Sequence, residues 1–261
     1  MYISPIRKMN ILIACEESQR VCKAFREKGH NAFSCDIIEC SGGHPEWHIK
    51  EDVLKILNPS YQQVLYGSTP TPVVGDSSHS VKQWYGISFY TMDGKFHIVE
   101  GKWDMIIAFP PCTFLTNTGN RWFDVVKYGY SAQRRWDERC IAICFFLYIA
   151  FADCEKIIIE NPIGCMSRYF RKPDQIIHPY YFAKKQNDEN CERKSTCLWL
   201  KGVEPLEYEI LFKPRIISYK NGKGTDSPWH MQTMSLPPDE RAKARSKTFP
   251  GIASAMAEQW G

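Results

Sequence analysis

No stretch of 18 apolar residues occurs anywhere in the 261-residue chain, and its opening run, Met1-Tyr2-Ile3-Ser4-Pro5-Ile6-Arg7-Lys8, lacks the apolar core of a secretory signal. A membrane-spanning or exported protein is not expected; a cytosolic one is. Charge of one sign is also scarce, since 33 Lys and Arg against 29 Asp and Glu leave a formal net charge of +4. A balance this close to neutral permits nucleic-acid binding without demanding it. Zinc-type spacing is missing too. Cys40, His44 and His48 gather a thiol and two imidazoles beside Gly42-Gly43, but neither pair has the usual interval, and Cys191 and Cys197 stand too far apart for a knuckle. A polar loop after the second strand is the expectation there, with no metal. The 11 cysteines are scattered through a chain whose 44% apolar content already supports a core, so most are expected as buried reduced thiols rather than a disulfide scaffold.

What is present is the material of one α/β domain with a small appendage. Residues 1–8 read as a lead-in, because Met9 directly precedes the first apolar run. Residues 10–56 then read as strand, helix, strand, loop and a further short element, with Ser18 capping a helix from Gln19 to Lys28 that Gly29 ends. This is the opening βαβ of a nucleotide-type fold. Residues 58–101 break the rhythm with Pro70, Pro72 and Gly75, and then alternate through Trp84 to Tyr90 and Lys95 to Val99. That alternation predicts an inserted β-hairpin turning at Met92-Asp93-Gly94, either flanking the site or purely decorative. A helix follows from Ala132 to Ala152. The stretch 203–240 is expected to be irregular, and 241–261 to hold a basic helix, a turn at Pro250-Gly251 and a short apolar helix.

Two of the apolar runs stop abruptly at proline. Met105-Ile106-Ile107-Ala108 gives way to Phe109-Pro110-Pro111-Cys112, and Ile157-Ile158-Ile159 gives way to Glu160-Asn161-Pro162. Each reads as an interior parallel strand broken by a residue that cannot continue a ladder. Open α/β sheets bind their ligands at such carboxyl ends. Cys112 alone would read as a buried strand-end thiol. A carboxylate after three isoleucines is harder to explain as structure, because burying it without partners is costly. Together, thiol and carboxylate are the parts needed to attack a pyrimidine ring and steady the charge that develops.

This pairing resembles the DNA cytosine-5 methyltransferases, and the whole string is similar to small phage-encoded proteins assigned to that family. The resemblance implies a class I S-adenosylmethionine-dependent, Rossmann-like α/β sheet with helices on both faces over residues 9–202, a target-recognition region at 203–240, and C-terminal helices packing back on the catalytic domain. It implies Cys112 as nucleophile and Glu160 as the carboxylate that bonds the base. Carried over in the same way, Ala14, Cys15, Glu16 and Ser18 form the loop for the methionine part of S-adenosylmethionine. Asp36 and Ile37 stand at the second strand end, where a carboxylate holds the ribose; Asp52 lies near the adenine, and Pro110 beside the cofactor. Pro111, Thr113, Asn117, Asn161, Pro162 and Lys194 fall on the substrate side. The chain departs from the family in two places: the first loop has no Phe-x-Gly-x-Gly, and only Arg193 and Lys194 stand in for the arginines of a Gln-x-Arg-x-Arg strand, with Arg193 given the catalytic part. Gln133-Arg134-Arg135 lies in the wrong place, in a helix.

The implied partner is double-stranded DNA, and no obligate protein partner is evident. A flipped pyrimidine would be attacked at C6 by the Cys112 thiolate, whose formation needs a nearby cation or helix terminus. The polar run Asn117-Thr118-Gly119-Asn120 suits a loop closing over that base, and Arg121 a phosphate. From 203 to 240, basic and aromatic residues interleave: Tyr208, Phe212, Lys213, Arg215, Tyr219, Lys220, Lys223, Trp229 and His230. Two alternatives stay open: C5 methyl or alkyl transfer to a free pyrimidine nucleotide or RNA, and a non-catalytic methyltransferase-like binding protein whose altered first loop no longer takes the cofactor. Amino-methyltransferases, which usually carry Asp/Asn-Pro-Pro-aromatic, fit less well.

Overall fold

Strands apolar on both sides are stable only where both faces are covered. In the computed structural model, which describes residues 7–57, 86–219 and 224–261, the three apolar runs are neighbours at the centre of one seven-stranded sheet. Its strands belong to the series β1 (Asn10–Ala14), β2 (Asn31–Asp36), β3 (His48–Lys50), β4 (Gly86–Tyr90), β5 (Phe96–Glu100), β6 (Met105–Ala108), β7 (Lys156–Pro162), β8 (Gln175–Ile177) and β9 (Thr196–Lys201). The sheet order is β3-β2-β1-β6-β7-β9-β8. From β3 to β7 all neighbours are parallel, whereas β9 runs antiparallel to both β7 and β8. After β3 the chain crosses to the other side of β1, which makes β1 and β6 the switch point of a doubly wound sheet.

The helices are α1 (Arg20–Glu27), α2 (Val53–Leu57), α3 (Val125–Tyr128), α4 (Tyr130–Ala150), α5 (Met166–Tyr169), α6 (Pro228–Met234), α7 (Pro238–Ser246) and α8 (Pro250–Trp260). Side-chain alternation divides each strand between two cores. Ile11, Ile13, Met105, Ile107 and Ile158 pack with Phe25 of α1 and Ile252, Met256 and Trp260 of α8. Leu12, Ile106, Ile157 and Ile159 pack on the opposite face with Val53 of α2 and Phe146 and Ile149 of α4. Each such side chain contributes about 1.5 to 3 kcal/mol on burial. The expected α/β sheet with helices on both faces is therefore present.

Several local expectations need correction. α1 starts one residue late, at Arg20, and Ser18 does not cap it; Gln19 takes the cap position with φ 57 and no side-chain bond. The Glu16 carboxylate does the capping, accepting from Val21 N at 2.7 Å and Cys22 N at 3.1 Å. A charged acceptor satisfies two orphan donors and complements the helix dipole, which a serine hydroxyl cannot match. The helix over 132–152 begins and ends two residues earlier. Pro250 and Gly251 do not turn the chain but open α8, with proline in the first helical turn where its missing N–H costs nothing. The span 203–240 is not wholly irregular: it contains a small hairpin of β10 (Ile217–Ser218) and β11 (Thr225–Asp226), then α6, and the first residues of α7.

The inserted hairpin exists as β4 and β5, antiparallel, its turn closed by the Thr91 amide donating to Lys95 O, with Gly94 at φ 79. Its inner residues Phe89 and Val99 join the core on the α4 side, so it is anchored to the domain rather than loose on its surface. Residues 1–6, the first part of the insertion (58–85, with Pro70, Pro72, Gly75 and Trp84), and Lys220 and Lys223 lie outside the described residues. Among the described residues no helix is long and apolar enough to cross a membrane.

Burial pushes the Glu16 carboxyl up to about 7, against the two amide bonds that favour its charge. A carboxyl raised on folding stabilises most at low pH, and that contribution is lost as pH rises from the ordinary glutamate range through about 7. Urea unfolding should show a decline over this window that is shallower in Glu16→Gln by up to about 3 kcal/mol; parallel pH profiles for the two proteins would contradict it.

Candidate active site at the strand ends

The parallel register of β6 and β7 decides where the two reactive side chains stand. Met105 pairs with Lys156 and the ladder closes at Ala108 opposite Ile159, so Glu160 is the first residue past the edge on one strand while Phe109-Pro110-Pro111-Cys112 leaves the edge on the other. β7 itself continues to Pro162, because β9 still pairs with it there: Glu160 lies opposite Leu198, and Pro162 opposite Thr196. The strand thus runs three residues beyond the expected stop. Proline is tolerated at this final position, where the β6 side requires no further ladder bond.

The two strand ends are bound to each other. Asn161 is buried and its Nδ2 donates to Pro110 O at 2.8 Å. Downstream, Leu115 and Thr116 amides donate to Cys112 O, forming a tight turn after the nucleophile candidate. Cys165 N then donates to Leu115 O at 2.8 Å, and Thr116 bridges Gly164. Gly164 is needed for that approach, since a Cβ there would lie 2.1 Å from Leu115 O. Two loops from two strands are thereby one unit. Asn117–Phe123, expected as a flexible polar loop, is a 3-10 helix held from behind by Arg139, which donates to Phe114 O and Asn120 Oδ1, both at 2.7 Å.

Cys112 is partly accessible, between exposed Pro111 and Thr113. Burial and then the Glu160 charge push its thiol pKa up, while Lys194 and Arg245 pull it down. Burial likewise pushes the Glu160 carboxyl up, opposed by Lys194 and by the Thr196 hydroxyl. Thiol, carboxyl and two cations therefore act on one another within a single corner. Of the sequence-predicted residues, Glu160, Asn161, Pro162, Lys194, Pro110, Pro111 and Thr113 gather here with Cys112. Arg193 does not: it is exposed, and its guanidinium donates to Thr225 at 3.4 and 3.5 Å. The neighbouring Lys194 takes the inward place, with Nζ donating to Arg245 O at 3.2 Å. Arg245 and Thr196 were not singled out from the sequence. The only sign of Arg245 was its position in a basic helix, and Thr196 becomes meaningful only through the reversed β9 pairing.

A second corner forms at the ends of β1, β2 and β3. Phe109 N donates to Ala14 O at 3.0 Å, which joins it to the first. Cys15 leaves β1 in a left-handed conformation, φ 59, and its thiol is pushed up by burial and by the charges of Asp36 and Asp52. Both carboxylates thus lie near that thiol. Asp36 is raised by burial, bonds the Ile38 amide at 3.2 Å, and is followed by Ile37 with its side chain largely in solvent. Asp52 accepts from Leu54 N at 3.0 Å at the start of α2. Glu17, beside them, is buried, and its carboxylate oxygens have no hydrogen-bond partner among the described residues. Glu16 is committed to α1 and Ser18 is buried, so the loop meets this corner chiefly through Cys15 and Glu17. Close approach comes from Gly42 of the facing loop, where a Cβ would lie 2.7 Å from Ser18 O. His48 bonds Ser34 Oγ and Ile38 O, and His44 bonds Glu46, so both rings are engaged within the fold.

A cavity of about 610 Å³, lined in part by Asn10, Asn31 and Asp104, lies at the opposite, amino ends of the strands. Its lining carries no cysteine, serine or threonine. No family model matches the chain, and no curated protein matches it. The Asn161 bond gives a direct check on this geometry. Asn161→Ala leaves Pro110 O without its donor and should destabilise the protein by about 1 to 2 kcal/mol, read as a lower denaturant midpoint, and should make Cys112 more accessible to a bulky maleimide. Unchanged labelling would show that the strand ends are held by something else.

Proposed function

We propose that the protein is a class I, S-adenosylmethionine-dependent DNA cytosine-5 methyltransferase working through a covalent Cys112 adduct. The observation that carries this reading is the β6–β7 register, which brings the segments bearing a thiol and a half-buried carboxyl off adjacent strand ends, tied together by Asn161. Charge supports it from both ends. The β1–β3 corner gathers Glu17, Asp36 and Asp52, a negative environment suited to a cationic donor with a ribose. The Cys112 corner gathers Lys194 and Arg245, suited to an anionic substrate. When bound, S-adenosylmethionine would supply an electrophilic methyl group, with Asp36 on its ribose and Ile37 and Asp52 about its adenine.

The chain's own residues would act in sequence. Cys112 adds as thiolate to C6 of an extruded cytosine, forming the Sγ–C6 bond and raising electron density at C5. Glu160, its carboxyl raised by burial, supplies a proton to a hydrogen bond at N3 and accepts from the exocyclic amine, offsetting charge that develops on the ring. After C5 gains the methyl group it loses its proton, the Sγ–C6 bond breaks, and Cys112 leaves as thiolate. The folded 3-10 segment after Cys112 carries exposed Arg121 and Trp122, the guanidinium 4.8 Å from the ring centroid, which would be free to meet a duplex.

Within 203–240 several basic and aromatic residues are occupied internally. Arg215 pairs with buried Glu192, Tyr219 and His230 both bond Asp226, and Trp229 packs on Phe249. Lys213 stays exposed, as do Ile210, Leu211 and Ile216. Among its described residues the region therefore offers few phosphate contacts, consistent with a short recognition element. Transfer of labelled methyl groups to duplex DNA should fall at least about 1,000-fold in Cys112→Ser and about 100- to 1,000-fold in Glu160→Gln. Transfer to RNA or a free pyrimidine nucleotide but not to DNA would replace the substrate; absence of calorimetric binding of S-adenosylmethionine would favour a non-catalytic binding protein.

A further inference from the structure

We infer that Arg245 is a positioning residue for Cys112, a cation delivered by α7 that holds the nucleophile's thiolate form ready at the end of β6. The inference rests on the reading of Cys112 as nucleophile. Its geometric basis is the way Arg245 is held. Nε donates to Thr233 Oγ1 at 2.9 Å, and the Thr233 hydroxyl, buried in α6, donates in turn to His230 O at 2.9 Å. The Arg245 carbonyl accepts from Lys194 Nζ, whose ammonium lies 5.7 Å from the centre of the Trp229 ring. The head group is thereby fixed while its Nη2 is buried without a hydrogen-bond partner among the described residues. An unpaired guanidinium N–H in that setting is costly unless an anion is to be met.

The charges that bear on Cys112 are those of Glu160 from β7, Lys194 from the approach to β9, and Arg245 from α7. Arg245 in turn feels the charges of Arg241, Asp226 and Cys112. With Glu160 ionised, burial and repulsion favour the thiol. Protonating Glu160 removes the opposing charge and leaves two cations against one sulfur. Forming the thiolate requires only that Sγ lose its proton to water, with no redox partner. Lys194 is shared between Glu160 and Cys112, whereas Arg245 is fixed by Thr233 and Lys194 from behind. Both cations therefore favour the thiolate, and Lys194 also serves the carboxylate.

The test is the pH dependence of Cys112 alkylation by iodoacetamide in the full chain, read by mass spectrometry of the Cys112 peptide, with neither DNA nor cofactor added. Arg245→Met should move the alkylation midpoint upward and slow alkylation at pH 7.5 by about 3- to 10-fold, a tenfold loss corresponding to one pH unit. Arg245→Lys should restore most of the rate. Thr233→Val, which releases Nε, should move the midpoint in the same direction by less, and it decides the matter if Arg245→Met does not fold. A wild-type midpoint in folded Arg245→Met, or in Thr233→Val where only that variant folds, overturns the inference. Loss of methyl transfer in Arg245→Met with an unshifted midpoint also overturns it, placing Arg245 on the DNA and leaving the proposed function intact. A shifted midpoint in a protein that transfers no methyl group to any substrate upholds the role of Arg245 and sinks the proposed function instead.

Discussion

The Asn161 amide, donating to Pro110 O across the ends of two parallel strands, is the bond on which the candidate site depends. Parallel pairing stops at Ala108 and Ile159; β9 carries β7 on to Pro162, whereas the chain leaving β6 has no ladder partner past Phe109. A polyproline turn on one side and Glu160 on the other would diverge without a link. Asn161 supplies it from within β7, and Gly164 lets the following loop press against Leu115 and Thr116. Cys112 then sits on a short, braced turn rather than at the tip of a mobile loop. Under the proposed function, a nucleophile that must meet one carbon of a ring would need that kind of support.

Electrostatics divides the same sheet edge into two halves. Carboxylates at the ends of β1 to β3 leave an acidic corner; Lys194 and Arg245 make the neighbouring corner basic around one carboxyl. The switch point between β1 and β6 separates them, which is where a doubly wound sheet opens a crevice. Burial works against ionisation of both Cys112 and Glu160. A neutral Glu160 and an anionic Cys112 would form a pair in which each state favours the other, because the like charge that opposes the thiolate is gone. The C-terminal segment is therefore more than a packing element. α8 closes one core of the sheet, while α7, immediately before it, carries a guanidinium to the other end of the molecule's chemistry.

Much of this was legible in the chain. Runs such as Met105–Ala108 and Ile157–Ile159 admit few settings other than central parallel strands, and the hairpin turn at Gly94 and the helix end at Gly29 follow from local backbone chemistry. Cys112, Glu160, Asp36 and Asp52 were legible because strand ends at adjacent positions converge whatever the loops do. What failed depended on competition or on distant pairing. Ser18 lost the α1 cap to Glu16, whose longer carboxylate reaches two amides. Arg193 and Lys194 are adjacent and alike in charge, so only the direction of the extended chain entering the antiparallel β9 shows that Lys194 turns inward. Arg245 was hidden because its partners, Thr233 and Lys194, are remote in sequence. Residues such as Arg215 and His230 looked available to a nucleic acid until Glu192 and Asp226 were seen to hold them.

The account turns on Cys112 forming a bond to a pyrimidine, and a trapped adduct tests that most directly. Duplex DNA containing 5-fluorocytosine blocks the final loss from C5, so incubation with S-adenosylmethionine should give a protein–DNA species by intact mass that carries one added methyl group, maps to Cys112 and is absent in Cys112→Ser. A protein that binds both S-adenosylmethionine and this DNA yet forms no such species would contradict the covalent mechanism.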